Sequence, residues 1–95
     1  MTKPLAATEA HAIAFKALAQ PARLKIFFWL VRVGREAPVG EIQKVLGIPG
    51  ATLFHHLELL RRAGLVKNRK EERFAYCSVN RPVVSGLVRL LTSCC

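Results

Sequence analysis

A mainly α-helical domain carrying one β-hairpin is the fold class that this sequence predicts, and three observations predict it. Apolar residues recur with helical spacing through most of the chain, and "TLFHHLELLRRAG" shows it best, with Leu53, Leu57 and Leu60 at i, i+4 and i+7. Proline and glycine fall where helices start and stop, at Pro21, Gly34, Gly47, Gly64 and Pro82. After Gly64 the period changes: "LVKNR" and "FAYCSV" are short, rich in β-branched and aromatic residues, and flank the charged turn "KEER".

The elements follow in order. Residues 1–5 read as a loose end. From residue 6 to 19 the Ala-rich composition, with Ile13, Phe15 and Leu18 marking an apolar side, predicts a first helix. Pro21 opens a second, in which Leu24, Ile26, Phe27, Phe28, Leu30 and Val31 cover most of the circumference, so burial on nearly all sides is expected. Gly34 stops it and "GREAP" reads as a loop. "GEIQKVLG" is a short helix with Ile42, Val45 and Leu46 on one side. "IPGATLFHHLELLRRAG" is the next, beginning near Thr52 and ending with Arg61 and Arg62, where positive charge complements the helix dipole. Asn80 is placed to cap a last helix, with Pro82 just inside it.

Ninety-five residues make a single domain, 1–95, with a modest core. An apolar share of 52% is high for that size and favours burial against a second copy. Fifteen Lys and Arg against six acids leave +9, which favours a polyanion, most often nucleic acid. An anionic membrane surface is the competing partner; the longest apolar run, "IFFWLV", is far too short to span a bilayer. Salt-sensitive binding to duplex DNA but not to lipid vesicles separates the two. An enzyme is the weakest reading, because no nucleophile–base–acid set appears. Three cysteines, two of them adjacent at the end, are not a secreted disulfide framework, and no signal peptide is visible, so a reducing cytoplasm with free thiols is expected.

Two helices joined through "LGIPGAT" form a helix-turn-helix over residues 40–63, and the hairpin over 65–79 is its wing. The second helix of such a motif enters the DNA major groove. Its buried stripe leaves Thr52, Phe54, His55 and Glu58 facing outward. Thr52 and His55 suit base edges or phosphates, and Phe54 suits a thymine methyl. Arg61, Arg69, Lys70 and Arg73 suit contacts that position without specifying. His56 falls between Leu53 and Leu60 and is expected at the edge of the core.

At this point the chain resembles the ArsR/SmtB family of bacterial winged-helix repressors. "ALAQPARLKIFFWL", "TLFHHLELLRRAGLV" and "FAYCSVN" carry the resemblance, which spans residues 12–92. It implies a homodimer built from the first and last helices (the latter over 81–93), a palindromic operator in double-stranded DNA, and release by a metal, metalloid or other inducer. Among the sensor sites of that family, a Cys-x-Cys pair in the first helix of the motif is absent from "VGEIQKVL". A zinc site of Asp, His and Glu is absent from "NRPVVSGLVRLLTS". Cysteines at or beyond the end of the last helix are present as Cys94 and Cys95. Thiolates select soft guests, so the resemblance implies trivalent arsenic, as arsenite or methylarsenite, or antimony, as inducer, with no cofactor required. Neighbouring cysteines diverge by about 100° on a helix and chelate one centre only if the helix ends before them. Cys77 is the candidate third thiolate, offered to Cys94 and Cys95 of a partner whose last helix runs antiparallel; as a small hydrophobe in a strand with Ala75 and Val79 it is equally a core residue. The alternative reading of the same fold is a thiol redox or persulfide sensor.

Overall fold

The computed structural model describes residues 7–93. Five helices and three strands follow one another as α1 (Glu9–Leu18), α2 (Pro21–Val33), β1 (Ala37–Pro38), α3 (Val39–Leu46), α4 (Gly50–Arg62), β2 (Val66–Glu71), β3 (Phe74–Val79) and α5 (Arg81–Thr92). The predicted class, mainly helical with a hairpin wing, is the observed one.

Helix α1 is shorter than its composition suggests, because Thr8 caps it. The His11 N–H donates to Thr8 Oγ1 and the Thr8 N–H donates to His11 Nδ1 at 3.0 Å, a capping box in which histidine holds the place usual for Glu or Gln. Its buried side is not Ile13 but the small Ala14 and Ala17, with Phe15 and Leu18 half-buried. Gln20 caps α2 by accepting from the Arg23 N–H, with Pro21 in the first turn. The expectation that α2 is buried nearly all round is corrected. Ile26, Phe27 and Leu30 enter the core, whereas Leu24, Phe28 and Val31 lie exposed, Phe28 by 55%.

"GREAP" is a loop only as far as Glu36. Ala37 and Pro38 add a third strand to the hairpin, in the order β1-β3-β2, all antiparallel, with Ala37 opposite Cys77 and Pro38 opposite Tyr76. Pro38 sits on an edge strand, where its missing N–H is tolerated. The wing turn is tight: Glu71 pairs with Phe74, leaving Glu72 and Arg73 at the tip, and Glu72 takes φ +55 where glycine or asparagine is usual.

The core is continuous. Ile26 and Leu30 of α2, Ile42 of α3, Leu53, Leu57 and Leu60 of α4, Leu65 and Cys77 are all fully buried. Each buried aliphatic side chain contributes about 1.5–3 kcal/mol relative to exposure. Asn80 stands before α5 without capping it. Its side-chain amide donates to the Gly64 carbonyl at 3.0 Å and its N–H to Leu65 O at 2.9 Å, which pins the end of β3 to the end of α4.

His56, 8% exposed, packs from α4 onto the α1–α2 joint, its Nδ1 3.3 Å from Arg23 Nη1. A guanidinium only donates, so the ring accepts there and is neutral. Arg23 Nε meanwhile donates to Ala17 O at 2.8 Å. Burial first, then the Arg23 charge, then His55, lowers the imidazole from its ordinary 6.5. The unfolded chain therefore takes up a proton before the folded one does. The stability tied to neutral His56 is fully present above pH about 6.5 and is lost as pH falls through the folded-state value. Urea midpoints should hold steady between about pH 7 and 8 and decline as pH falls below about 6.5. His56→Gln should flatten that part of the curve. An unchanged slope in the variant would show that another group is responsible.

Candidate nucleic-acid interface and thiol positions

The turn between α3 and α4 is made by Gly47, whose φ of +65 closes α3, and by Ile48 and Pro49. Pro49 holds the N-cap position of α4 and supplies no side-chain acceptor, so the N–H groups of the first turn face outward uncapped. That is an arrangement suited to a phosphate. The helix starts at Gly50, slightly before the expected Thr52. Beyond this end Thr52, Phe54 and His55 are exposed on one side while Leu53, His56, Leu57 and Leu60 are buried on the other. Glu58 is half-buried.

Two further residues belong to this surface and were not singled out from the sequence. Gln43 and Lys44 occupy the last turn of α3, and the Gln43 amide lies against the start of α4, its Oε1 3.5 Å from where a Cβ on Gly50 would stand. The available signal was positional: they immediately precede the helix-turn-helix turn.

The expected basic contacts divide into two groups. Arg61 is engaged by Glu58 at 2.7 and 2.8 Å, with Arg62 on the same carboxylate at 3.3 Å. The Arg61 hydrogen bond, seconded by both guanidinium charges, holds the Glu58 carboxyl down to about 2. Arg69 is engaged still more fully. It donates to Glu36 at 2.8 and 3.0 Å and to Glu71 at 2.6 Å, and its guanidinium lies 4.5 Å over the Tyr76 ring. These carboxylates raise its pKa further, and the Arg69 hydrogen bond lowers that of Glu36. By strand alternation Arg69 and Tyr76 sit on the sheet face opposite Cys77. Arg69 thus braces the wing against the segment before β1. Lys70 and Arg73 are exposed, and among the described residues neither forms an ion pair.

Cys77 is 0% exposed, held in β3 between Ala37 and Asn68. Burial, with the Glu36 charge adding to it, pushes its thiol up to about 12. Within its own chain Cys77 is thus a core residue, one of the two roles expected for it. Cys94 and Cys95 lie outside the described residues; the helix that precedes them ends at Thr92, with Ser93 as its C-cap. His55 and His56 diverge, their ring planes 49° apart and centroids separated by 6.0 Å. Among the described residues no three His, Cys, Asp or Glu side chains cluster as metal ligands, and no helix is long and apolar enough to cross a membrane.

An outward-facing second helix, an uncapped first turn and a basic hairpin beside it define a winged helix-turn-helix DNA-binding protein. Residues 18–69 match the family model described as "Helix-turn-helix domain". The chain is 38% identical over 74 residues to the cadmium resistance transcriptional regulatory protein CadC homolog of Staphylococcus aureus, which covers 78% of this chain and 60% of that protein. It is 34% identical over 79 residues to the transcriptional activator HlyU of Vibrio cholerae, covering 83% of this chain and 71% of that one. Among solved structures, a possible transcriptional regulator for arsenical resistance superposes with a TM-score of 0.70 at 27% identity, over 82% of this chain and 79% of that one. The chain belongs to the ArsR/SmtB-type helix-turn-helix transcriptional regulators. It spans 60% of the length of the cadmium-resistance relative.

The two groups of basic residues should separate in solution. Neutralising one phosphate contact changes the slope of log K against log salt by about 0.9. Arg73→Gln should lower the slope on duplex DNA by nearly that amount. Arg69→Gln should change it by less than half as much. Equal changes in a salt titration followed by fluorescence anisotropy would contradict the division.

Proposed function

We propose that this regulator is a homodimeric repressor that leaves its operator when a trivalent arsenical or antimonial binds the thiolates of Cys94 and Cys95. The observation that carries the proposal is the pair itself: Cys94 and Cys95 are adjacent and follow α5, whose last helical residue is Thr92. Adjacent thiols close on one soft centre where the backbone that carries them is not helical. With Cys77 fully buried in its own chain, the proposed ligands are the two sulfurs of Cys94 and Cys95. Methylarsenite needs two, so it fits better than arsenite, which accepts three. A protein similar to this chain is described as a possible regulator for arsenical resistance, and another as a cadmium-resistance regulator. Both names are consistent with a soft guest.

The homodimer rests on the apolar surface that a single chain leaves open. Ile13 of α1, Leu24, Phe28 and Val31 of α2, and Val88 and Leu91 of α5 are all exposed. Within its own chain α5 buries only Leu87, so a second copy supplies what the helix lacks.

Native mass spectrometry of the reduced full chain tests the reading, with methylarsenite, arsenite and zinc added in turn. A dimer should take up one arsenic per chain from methylarsenite and little zinc. Uptake should vanish in a Cys94→Ser/Cys95→Ser double variant and survive in Cys77→Ser. No adduct on an intact dimer would overturn the metalloid reading. Loss of DNA binding on mild oxidation without metalloid would favour the redox sensor.

A further inference from the structure

Phe54 is the anomaly of the α4 outer face. Its neighbours there, Thr52 and His55, are polar, yet this aromatic side chain is 56% exposed on the surface that the fold turns toward DNA. It borders a cleft of about 420 Å³ between α4 and the wing, which Leu57, Val39 and Ala75 of β3 also line. Lys70 also lines the cleft, and it pairs with Ala75, two residues before the buried Cys77 on the same strand face. Glu58 and Arg69, which also line it, are engaged by Arg61 and by Glu36 and Glu71, so Lys70 is the cation of the cleft with no ion pair among the described residues.

The chemistry of an occupant follows. A phenyl ring offers neither donor nor acceptor, so pressing it on a polar base edge strips water without replacing its hydrogen bonds. In the major groove only thymine presents an apolar group, its C5-methyl. The net charge of +9 and the uncapped start of α4 select duplex DNA as the body that brings such a methyl to this face. We propose that Phe54 is a specificity-determining residue that reads thymine through its C5-methyl, while Lys70 across the cleft holds a phosphate of the same stretch. The inference deepens the DNA-binding reading and is independent of the cysteines.

Deoxyuridine differs from thymidine by that methyl alone, which makes the test direct. A duplex selected by the full-length protein from a randomised pool serves as probe, with its thymines replaced one at a time by deoxyuridine and affinity read by fluorescence anisotropy. At one or two positions per half-site the replacement should weaken wild-type binding about fourfold, which is ~0.8 kcal/mol for one buried methyl at 1.4 kcal/mol per tenfold. Phe54→Ala should bind both duplexes more weakly and equally, and Phe54→Leu should keep part of the discrimination. Lys70→Gln should weaken both duplexes, lower the salt slope by about one and leave their ratio unchanged. Circular dichroism of Phe54→Ala checks that its fold is intact. Wild-type indifference to every replacement, or undiminished discrimination by Phe54→Ala, would overturn the assignment. Failure of the wild type to select any duplex would overturn the DNA-binding reading beneath it, and is distinguishable because it appears before any base is changed.

Discussion

The stripe of Leu53, Leu57 and Leu60, fully buried on the inner side of α4, holds the rest of the arrangement in place. A helix that must present one face to a partner can be positioned only by what it buries on the other. Here the anchors are Ile26 and Leu30 of α2, Ile42 of α3 and Leu65 at the entry to the wing, all fully buried. Interiors pack at the density of organic crystals, so the outer residues inherit a definite orientation from the inner ones. Truncating one buried leucine there would cost about 2–5 kcal/mol, a large part of the stability of a small domain.

What the sequence made legible was local. The leucine repeat, the glycine stops and the change of period sufficed for the helix-turn-helix, the wing and the outward set Thr52, Phe54 and His55. What it hid was tertiary. No periodicity marks a two-residue strand, and Ala37 and Pro38 become one only because β3 offers a free edge. Asn80 has the residue type of a cap, yet Gly64, sixteen residues earlier, is the acceptor its side chain finds. Arg69 looks like a wing cation until Glu36, thirty-three residues away, closes on it. The apolar circumference of α2 promised burial, but a chain of this size has too little interior to cover all of it. Cys77 was readable both as ligand and as hydrophobe, and its complete burial within the chain is a tertiary fact that spacing does not carry.

The charge distribution follows the same logic. A surplus of nine positive charges draws the chain toward DNA but does not say which cations touch it. Four of the acids, Glu36, Glu41, Glu58 and Glu71, are committed to arginines. Such exposed pairs contribute little to stability. Their larger effect is selective. They engage Arg35, Arg61, Arg62 and Arg69 within the chain, whereas Lys70 and Arg73 on the wing form no ion pair among the described residues.

The joint at Asn80 constrains how any signal from α5 can reach DNA. Its two hydrogen bonds, to Gly64 O and Leu65 O, bind together the end of α4, the base of the wing and the start of α5. Recognition helix and wing thus share one hydrogen-bonded joint with the start of α5. For the proposed homodimer and inducer, this joint favours an action on how two copies face one another, along the α5 surface that a single chain leaves open, over a tilt of the wing relative to α4. On that proposal a change in the distance between two recognition helices would suffice for release, since the half-sites of an operator are separated by a fixed helical repeat. The coupling then equals the difference in the inducer's affinity for the two dimer geometries.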